Sequence, residues 1–150
     1  MIEPAELQNL IGAWWFNYDE GNFDVLRELL TEDMHFSVRT DTDRVAWAAF
    51  ARGEARGRDE VMEWQIQHRR DSPYPLRHHG TNVHVVEQRG DEASFASYIH
   101  VTHIVEEMPA GIPGGVVTGV VRRNDGVLRL AELHVVLDTE TSQTFSTVKG

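Results

Sequence analysis

Apolar residues recur at spacings of three and four near the start of the chain, which is the period of an amphipathic α-helix. This stripe consists of Leu7, Leu10, Ile11, Trp14, Trp15 and Tyr18. Pro4 suits a first helical turn, and the pair Gly21-Asn22 interrupts the pattern. We therefore expect a second, short helix over residues 23–30. A third helix is predicted over residues 58–70, with Trp64 and His68 among its packing residues.

The second half of the chain shows the alternation and the turn residues of β-strands. Strands are predicted over residues 34–38, 81–88, 93–106, 116–123 and 127–138. Glycine-containing turns at 89–91 and 124–126 predict hairpins between consecutive strands. Residues 108–115 hold two prolines and three glycines, and are predicted to form a mobile loop that could act as a lid. Residues 39–53 fit loop, strand or helix, and Gly53 and Gly57 are expected to bracket a turn.

The predicted order is helix, helix, strand, helix and then four antiparallel strands. Such segregation predicts an α+β fold, with helices packed on one face of a curved antiparallel sheet. A length of 150 residues is ordinary for one domain, and the sequence contains no internal repeat and no linker. We therefore expect a single domain over residues 1–150, with a loose Ser/Thr-rich tail from about residue 139.

Charge and composition narrow the possible partners. Lys and Arg number 14 against 24 Asp and Glu, so the net charge is 14 − 24 = −10. This balance argues against nucleic acid and against an anionic membrane surface, since both select a basic footprint. No apolar run approaches the ~20 residues of a membrane span, and no signal-peptide pattern is visible. We expect a cytoplasmic protein with a small-molecule ligand. The chain has no cysteine, which excludes a thiolate nucleophile.

Two residues about sixty positions apart are the strongest candidates for chemistry. Asp19 ends the first predicted helix, and His78 stands in the segment Arg77-His78-His79-Gly80-Thr81-Asn82 ahead of a strand. A carboxylate that orients an imidazole can move a proton at neutral pH. The alternative is structural: His78 would satisfy a backbone carbonyl, and Asp19 would bond to the turn that follows it.

Other candidates follow from alternation along the strands. His78, Gly80, Asn82 and His84 would share one face of a strand that begins early. Asn82 could then bind a substrate oxygen or cap the strand. Tyr98 and His100 share a face that could line a pocket or form a subunit interface. Trp64 could reach the pocket mouth.

No metal site and no cofactor are expected. His100 and His103 should point to opposite faces of their strand, and the adjacent His78 and His79 diverge for the same reason. The chain has no helical His-Glu-x-x-His motif, and the glycines at 111–115 lack the spacing of a phosphate-binding loop.

Three stretches carry a family resemblance: residues 18–36, residues 77–83, and residues 121–126 continuing to Glu132. In these stretches the chain resembles the SnoaL-like branch of the nuclear transport factor 2 superfamily. The resemblance implies a cystatin-like α+β cone, in which a curved antiparallel sheet wraps around the N-terminal helices and encloses a deep pocket. Two departures are Val127-Leu128, where many relatives carry a tryptophan, and the unmatched insert at 39–56.

Within that superfamily the chain is most similar to scytalone dehydratase and γ-hexachlorocyclohexane dehydrochlorinase. The resemblance implies that Asp19 and His78 form a proton-abstracting pair, and that Arg123 contributes to the pocket. It implies a cofactor-independent lyase, dehydratase or isomerase that acts on a small, largely apolar substrate. The alternative is a non-catalytic ligand-binding or assembly module, such as the β subunit of aromatic-ring dioxygenases. Either would favour a homo-oligomer, a dimer or trimer, since the open sheet face needs cover.

Overall fold

The computed structural model describes residues 1–142, and residues 143–150, most of the predicted tail, lie outside this range. Within residues 1–142 the chain forms three helices and six strands. The helices are α1 (Pro4–Asp19), α2 (Phe23–Glu28) and α3 (Arg58–Asp71). The strands are β1 (Leu30–Arg39), β2 (Gly53–Arg56), β3 (Leu76–Arg89), β4 (Glu92–Val105), β5 (Met108–Asn124) and β6 (Val127–Leu137). The α+β fold class predicted from the sequence is confirmed.

Local contacts and backbone conformation set the boundaries of the helices. At the start of α1 the backbone N–H of Glu3 donates to the carboxylate of Glu6 over 3.1 Å, which satisfies an amide left free by the helix. Gly21 lies between α1 and α2 with φ +70°, a backbone conformation that glycine adopts without steric cost. The second helix is shorter than predicted because Leu30 already belongs to β1 and pairs with Leu130.

The strands form one curved open sheet in the order β2-β1-β6-β5-β4-β3. Neighbouring strands are antiparallel except β1 and β6, which run parallel. The hairpin between β5 and β6 turns through Asp125 and Gly126, both with positive φ, as the Asn-Asp-Gly sequence predicts. The helices pack on the face that carries Phe95, Ile99 and Val101, which we call the inner face. The opposite face is called the outer face.

A single hydrophobic core joins the helices to the inner face. Its fully buried side chains include Leu7, Ile11, Trp14, Leu26, Phe95, Val117, Leu130 and Leu133. The apolar stripe read from the sequence of α1 therefore faces the sheet, as an amphipathic helix should. Among residues 1–142 no helix combines the length and the apolar character needed to cross a membrane.

The predicted lid over residues 108–115 is wrong, because this segment is the first half of β5. Val105 pairs with Met108, and His103 pairs with Ala110. The glycines allow the backbones of neighbouring strands to lie close together. A Cβ on Gly114 would lie 2.5 Å from the carbonyl oxygen of Ile99. One on Gly115 would lie 2.6 Å from that of Val136. Glycine-rich composition here indicates crowding between strands.

The turn expected between Gly53 and Gly57 is also different, because residues 53–56 form β2, an edge strand paired with β1. Gly53 lies under the indole of Trp64, and a Cβ there would come within 2.4 Å of the indole nitrogen. Gly57, with φ +85°, begins α3. The insert therefore contributes a strand that supports the third helix.

A bulge in β3 changes which residues face inward. Thr81 pairs with Tyr98, but the next paired residue, His84, is opposite Ala96. Asn82 lies in between with φ +57°. A bulge shifts the alternation of side chains by one position. The prediction that Asn82 and His84 share the face of His78 is therefore wrong, and both are exposed.

Candidate active site

A cavity of about 390 Å³ opens between the inner face of the sheet and the helices. Its volume is within the range of small-molecule sites in proteins. The wall is mainly apolar. Side chains from α1, α3, the sheet and the segment between β1 and β2 form it, and they include Trp15, Phe36, Trp47, Trp64, Ile99, Val101 and Leu137. The polar or titratable residues among those that line it are Tyr18, Gln65, His68, Ser72, His78 and His103.

Asp19 and His78 are in direct contact at one end of this cavity. Oδ1 of Asp19 lies 2.6 Å from Nδ1 of His78, and Oδ2 accepts the backbone N–H of His78 over 2.7 Å. Asp19 is 4% exposed, so the carboxylate has lost nearly all contact with water. A buried carboxylate needs hydrogen-bond donors, and His78 supplies two of them, one from its backbone and one from its ring.

The surroundings fix the orientation of the His78 ring. Trp15 stacks on it with a centroid distance of 4.7 Å and an interplanar angle of 5°. Tyr18 meets the ring edge-on at 5.4 Å. The buried Arg69 of α3 donates from Nε to the main-chain oxygen of Asp19 over 2.8 Å, which holds the end of α1. The pair is thus fixed by α1, α3 and β3 together.

This arrangement assigns the protons of the pair. An ionised carboxylate accepts hydrogen bonds only, so Nδ1 of His78 carries the hydrogen that points at Asp19. Within the described part of the chain, Nε2 of His78 makes no hydrogen bond, and the residue lines the cavity. In the neutral ring, Nε2 is then the nitrogen with the free lone pair. An imidazole with this tautomer can accept a proton while the carboxylate stabilises the resulting positive charge.

A second histidine, His68, is enclosed by aromatic rings in the same cavity. It stacks between Phe50, at 4.2 Å, and Trp64, at 4.4 Å. Burial lowers the pKa of His68 to about 4, an effect that the Phe50 backbone partly offsets. This ring is consequently neutral at pH 7.

Tyr18 links the two histidine rings. Its hydroxyl oxygen lies 2.6 Å from Nδ1 of His68, while its ring edge meets that of His78. Burial raises the pKa of Tyr18, so the phenol keeps its proton. A phenol that donates to Nδ1 leaves the imidazole hydrogen on Nε2, an atom that is buried and makes no hydrogen bond of ordinary geometry in the described chain.

The sequence pattern places His68 and Tyr18 among the packing residues and does not mark them as site residues. A signal was present: His68 follows Trp64 by four positions on α3, so the apolar side of the helix carries a titratable group. His103 also lines the cavity, on the inner face of β4. Phe95, Ile99 and Val101, which share this face, are buried. The alternation along β4 shows that these residues share a face, but it cannot tell whether that face points inward or outward.

Several residues predicted to line the pocket lie elsewhere. Tyr98 is 51% exposed on the outer face, and His100 is on the same face opposite His79. Asn82 is at the exposed bulge. Arg123 pairs with Glu6 at 2.9 Å, near the opposite end of α1 from Asp19. The prediction that these four residues line the pocket is wrong. Tyr98 and His100 lie on the outer side of β4, whose inner side is the apolar one, whereas the bulge displaces Asn82 and the ion pair with Glu6 holds Arg123 away from the cavity. Trp64 does line the cavity.

Helices packed against a curved six-stranded sheet, with an apolar cavity between them, define the cystatin-like α+β fold. The chain belongs to the SnoaL-like domain family, whose model matches residues 3–134. This confirms the resemblance read from the sequence. No curated protein matches the sequence.

Solved structures share the fold. An NTF2-like protein from Novosphingobium aromaticivorans superposes with TM-score 0.75 at 18% identity, over 97% of this chain and 88% of its own. A candidate scytalone dehydratase from the same organism gives 0.69 at 16% identity, over 88% and 81%. The β subunit of benzoate 1,2-dioxygenase from Burkholderia mallei gives 0.72 at 15% identity, over 92% of each chain. At these identities the likeness extends to the fold alone.

Proposed function

We propose that this protein is a cofactor-independent lyase of the dehydratase type, or an isomerase, in which His78 removes a proton from a small, largely apolar substrate. The observation that carries the proposal is the contact of 2.6 Å between the buried carboxylate of Asp19 and Nδ1 of His78 beside an apolar cavity. The pairing leaves Nε2 as the base. It also supplies a counter-charge for the imidazolium that forms.

The other polar groups support a role in stabilising the negative charge that develops on the substrate. A proton taken from carbon next to a carbonyl leaves charge on the oxygen, and a neutral donor in a dry site stabilises that charge. His68 fits this role, because its pKa of about 4 keeps the ring neutral and Tyr18 can direct its hydrogen to Nε2. In this proposal His78 accepts the proton and His68 donates the hydrogen bond. The second role requires Phe50, which stacks on His68 and is 42% exposed, to move aside, because Nε2 of His68 is buried in the described structure.

The cavity wall favours a flat, mainly hydrocarbon substrate. Trp15, Trp47 and Trp64 present indole rings to the cavity, and a volume of about 390 Å³ is at the small end of ligand sites. No lysine or arginine is among the lining residues of the described chain. A substrate with a strongly charged group would lose its hydration there without gaining a partner, which argues for a neutral molecule.

Deuterium exchange tests proton removal without knowledge of the final product. The protein is incubated in D₂O with a panel of neutral aromatic and bicyclic ketones, and deuterium uptake at carbon is followed by mass spectrometry. We expect exchange with at least one compound, and we expect His78→Gln to reduce its rate by about 10²–10⁴-fold, the usual contribution of a general base.

His79→Gln is the matched control, since His79 is adjacent in sequence but lies on the outer face, bonded to Thr102 over 3.0 Å. This variant should exchange at the wild-type rate. Circular dichroism of both variants checks the fold. Full exchange in a folded His78→Gln protein would rule out His78 as the base.

A ligand-binding or assembly role is the second candidate, and the outer face favours it. Tyr98 and Val86 are 51% and 62% exposed there, and the fold is shared with a dioxygenase β subunit. This role predicts that compounds quench the fluorescence of the cavity tryptophans but undergo no exchange. It also predicts that Asp19→Asn leaves their affinity unchanged.

A further inference from the structure

A cluster of histidine and carboxylate side chains lies on the outer face, away from the cavity. His35 of β1 is directly opposite Glu132 of β6, and Ser37 is opposite His134. Alternate residues of a strand share a face, so these four side chains form one block. Glu54 of β2 adjoins it opposite Ser37. The intervening Phe36 and Leu133 are buried on the inner face, which separates the cluster from the proposed active site.

The nitrogen and oxygen atoms of this block are close together. One ligand atom each from His35, Glu132 and His134 lie within 4.8 Å of one another. Nε2 of His134 is 3.2 Å from a carboxylate oxygen of Glu132, and Nε2 of His35 is 2.9 Å from one of Glu54. The two imidazole rings meet edge-on with centroids 4.7 Å apart. Two imidazoles and a carboxylate thus converge on one point of the surface.

We propose that His35, Glu132 and His134 bind a divalent transition-metal ion of the Zn²⁺ class, with Glu54 or water as the fourth ligand. Zinc takes imidazole nitrogen and carboxylate oxygen at about 2.0–2.2 Å in tetrahedral sites, so its ligand atoms lie roughly 3.3 Å apart. The ligands here are somewhat more widely spaced. Their side chains are 21%, 46% and 27% exposed, which leaves room for the small rotations that would close the site.

Ser37 provides the outer support that metal-binding histidines usually have. Its hydroxyl oxygen lies 2.7 Å from Nδ1 of His134. If Nδ1–H donates to this oxygen, the lone pair of Nε2 is directed at the cluster, where the ion would lie. In the metal-free protein the neutral rings can instead carry the hydrogen on Nε2 and donate it to the two glutamates, and metal binding at Nε2 then moves that hydrogen to Nδ1.

Local charge also suits a cation. Glu132 and Glu54 contribute two negative charges, and Arg56, which lies 3.3 Å from Glu54, offsets one of them. The mixed nitrogen and oxygen donor set selects zinc and its transition-metal neighbours over Mg²⁺ and Ca²⁺, which prefer oxygen alone. An ion here would join β1 to β6, the one parallel pair in the described sheet, and would stabilise the folded state.

Isothermal titration of the untagged, chelator-treated protein with ZnCl₂ tests the site. We expect one ion per chain, no binding of Mg²⁺ or Ca²⁺, and a Co²⁺ complex with the intense visible absorption of a tetrahedral ion. Ser37→Ala should weaken zinc binding by about 10–100-fold, as loss of an outer hydrogen bond does. His35→Gln and His134→Gln each remove a ligand and should weaken it further.

His84→Gln is the control, because His84 is exposed and its Nδ1 bonds to the main-chain oxygen of Asn82. Its zinc affinity should equal that of the wild type. Melting curves without metal check that each variant folds. Unchanged affinity in both His35→Gln and His134→Gln would overturn the proposal. So would a loss of affinity confined to His79→Gln and His100→Gln, since these histidines face each other elsewhere on the outer face.

Discussion

The partly buried His68 makes the stability of this protein depend on pH in a way that can be isolated. Its pKa is about 4 in the folded state against an ordinary value of 6.5. The unfolded chain therefore binds a proton at this residue between pH 6.5 and 4, and the folded chain does not. Stability rises with pH wherever the unfolded state holds more protons. His68 consequently costs nothing above about pH 6.5 and destabilises the fold progressively as the pH falls to about 4.

The size of the effect follows from the shift. A difference of about 2.5 pH units corresponds to about 3.4 kcal/mol, at 1.36 kcal/mol per unit. That figure is an upper limit, because the ring is only partly buried and water screens some of the interaction. We expect about 1–2 kcal/mol of stability to be lost through this residue between pH 7.5 and pH 4.5.

Urea denaturation of the wild type and His68→Gln at pH 7.5, 6.5, 5.5 and 4.5 measures this contribution. Glutamine can still accept the Tyr18 hydroxyl but does not titrate. Every other ionisable group titrates in both proteins, so the difference between their free energies of unfolding isolates His68. We expect the wild type to lose ~1–2 kcal/mol more than the variant over this range. Parallel pH profiles would refute the assignment of a depressed pKa.

Three backbone positions carry the remaining predictions. Gly12→Ala should raise the free energy of unfolding by about 0.5–1 kcal/mol, because a Cβ there meets nothing within 4 Å on helix α1. Gly119→Ala should lower it by about 1–3 kcal/mol, since its Cβ would lie 2.1 Å from the carbonyl oxygen of Glu132 and 2.7 Å from the ring of Phe95. Thermal melts measure both, and equal shifts would contradict the packing argument. At the bulge, Asn82→Val should lower the free energy of unfolding by ~1–2 kcal/mol in urea titrations. Asn82→Gly should leave it nearly unchanged, because only the β-branched residue resists φ +57°.

The helices and hairpins could be predicted because their signals are local. The apolar spacing that ends at Tyr18, the break at Gly21 and the turn at 124–126 each depend on a few neighbouring residues. The first half of β5 could not be predicted in this way. Its prolines and glycines are typical of a loop, yet Gly114 and Gly115 are required by carbonyl groups of Ile99 and Val136, which are distant in sequence. Glycine is required both where a neighbouring strand leaves no room for a Cβ and where a loop must be flexible, so glycine content alone cannot distinguish a crowded strand from a loop.

The contact between Asp19 and His78 could be predicted because a family resemblance supplied this long-range pairing, while their catalytic role stays a proposal. The match to a family placed Asp19 beside His78, and the two side chains do lie 2.6 Å apart. His68 could not be found in this way, because its lowered pKa results from the aromatic rings that surround it in the folded chain. Only the folded chain shows that Phe50 and Trp64 cover both faces of its ring and lower its pKa.

The failed pocket predictions have separate causes, and the bulge at Asn82 explains the one on β3. The alternation of side chains shows which residues of a strand share a face, but not which face points inward. At Asn82 the bulge shifts this alternation by one residue partway along β3. Before the bulge His78 is on the inner face, and after it Val85 takes that side. On β4 the cavity is lined by the apolar set, Ile99 and Val101, and not by the polar set that the sequence predicts. That preference is itself informative, because a dry wall strengthens the interaction of His78 with Asp19 and with any charge formed on a substrate.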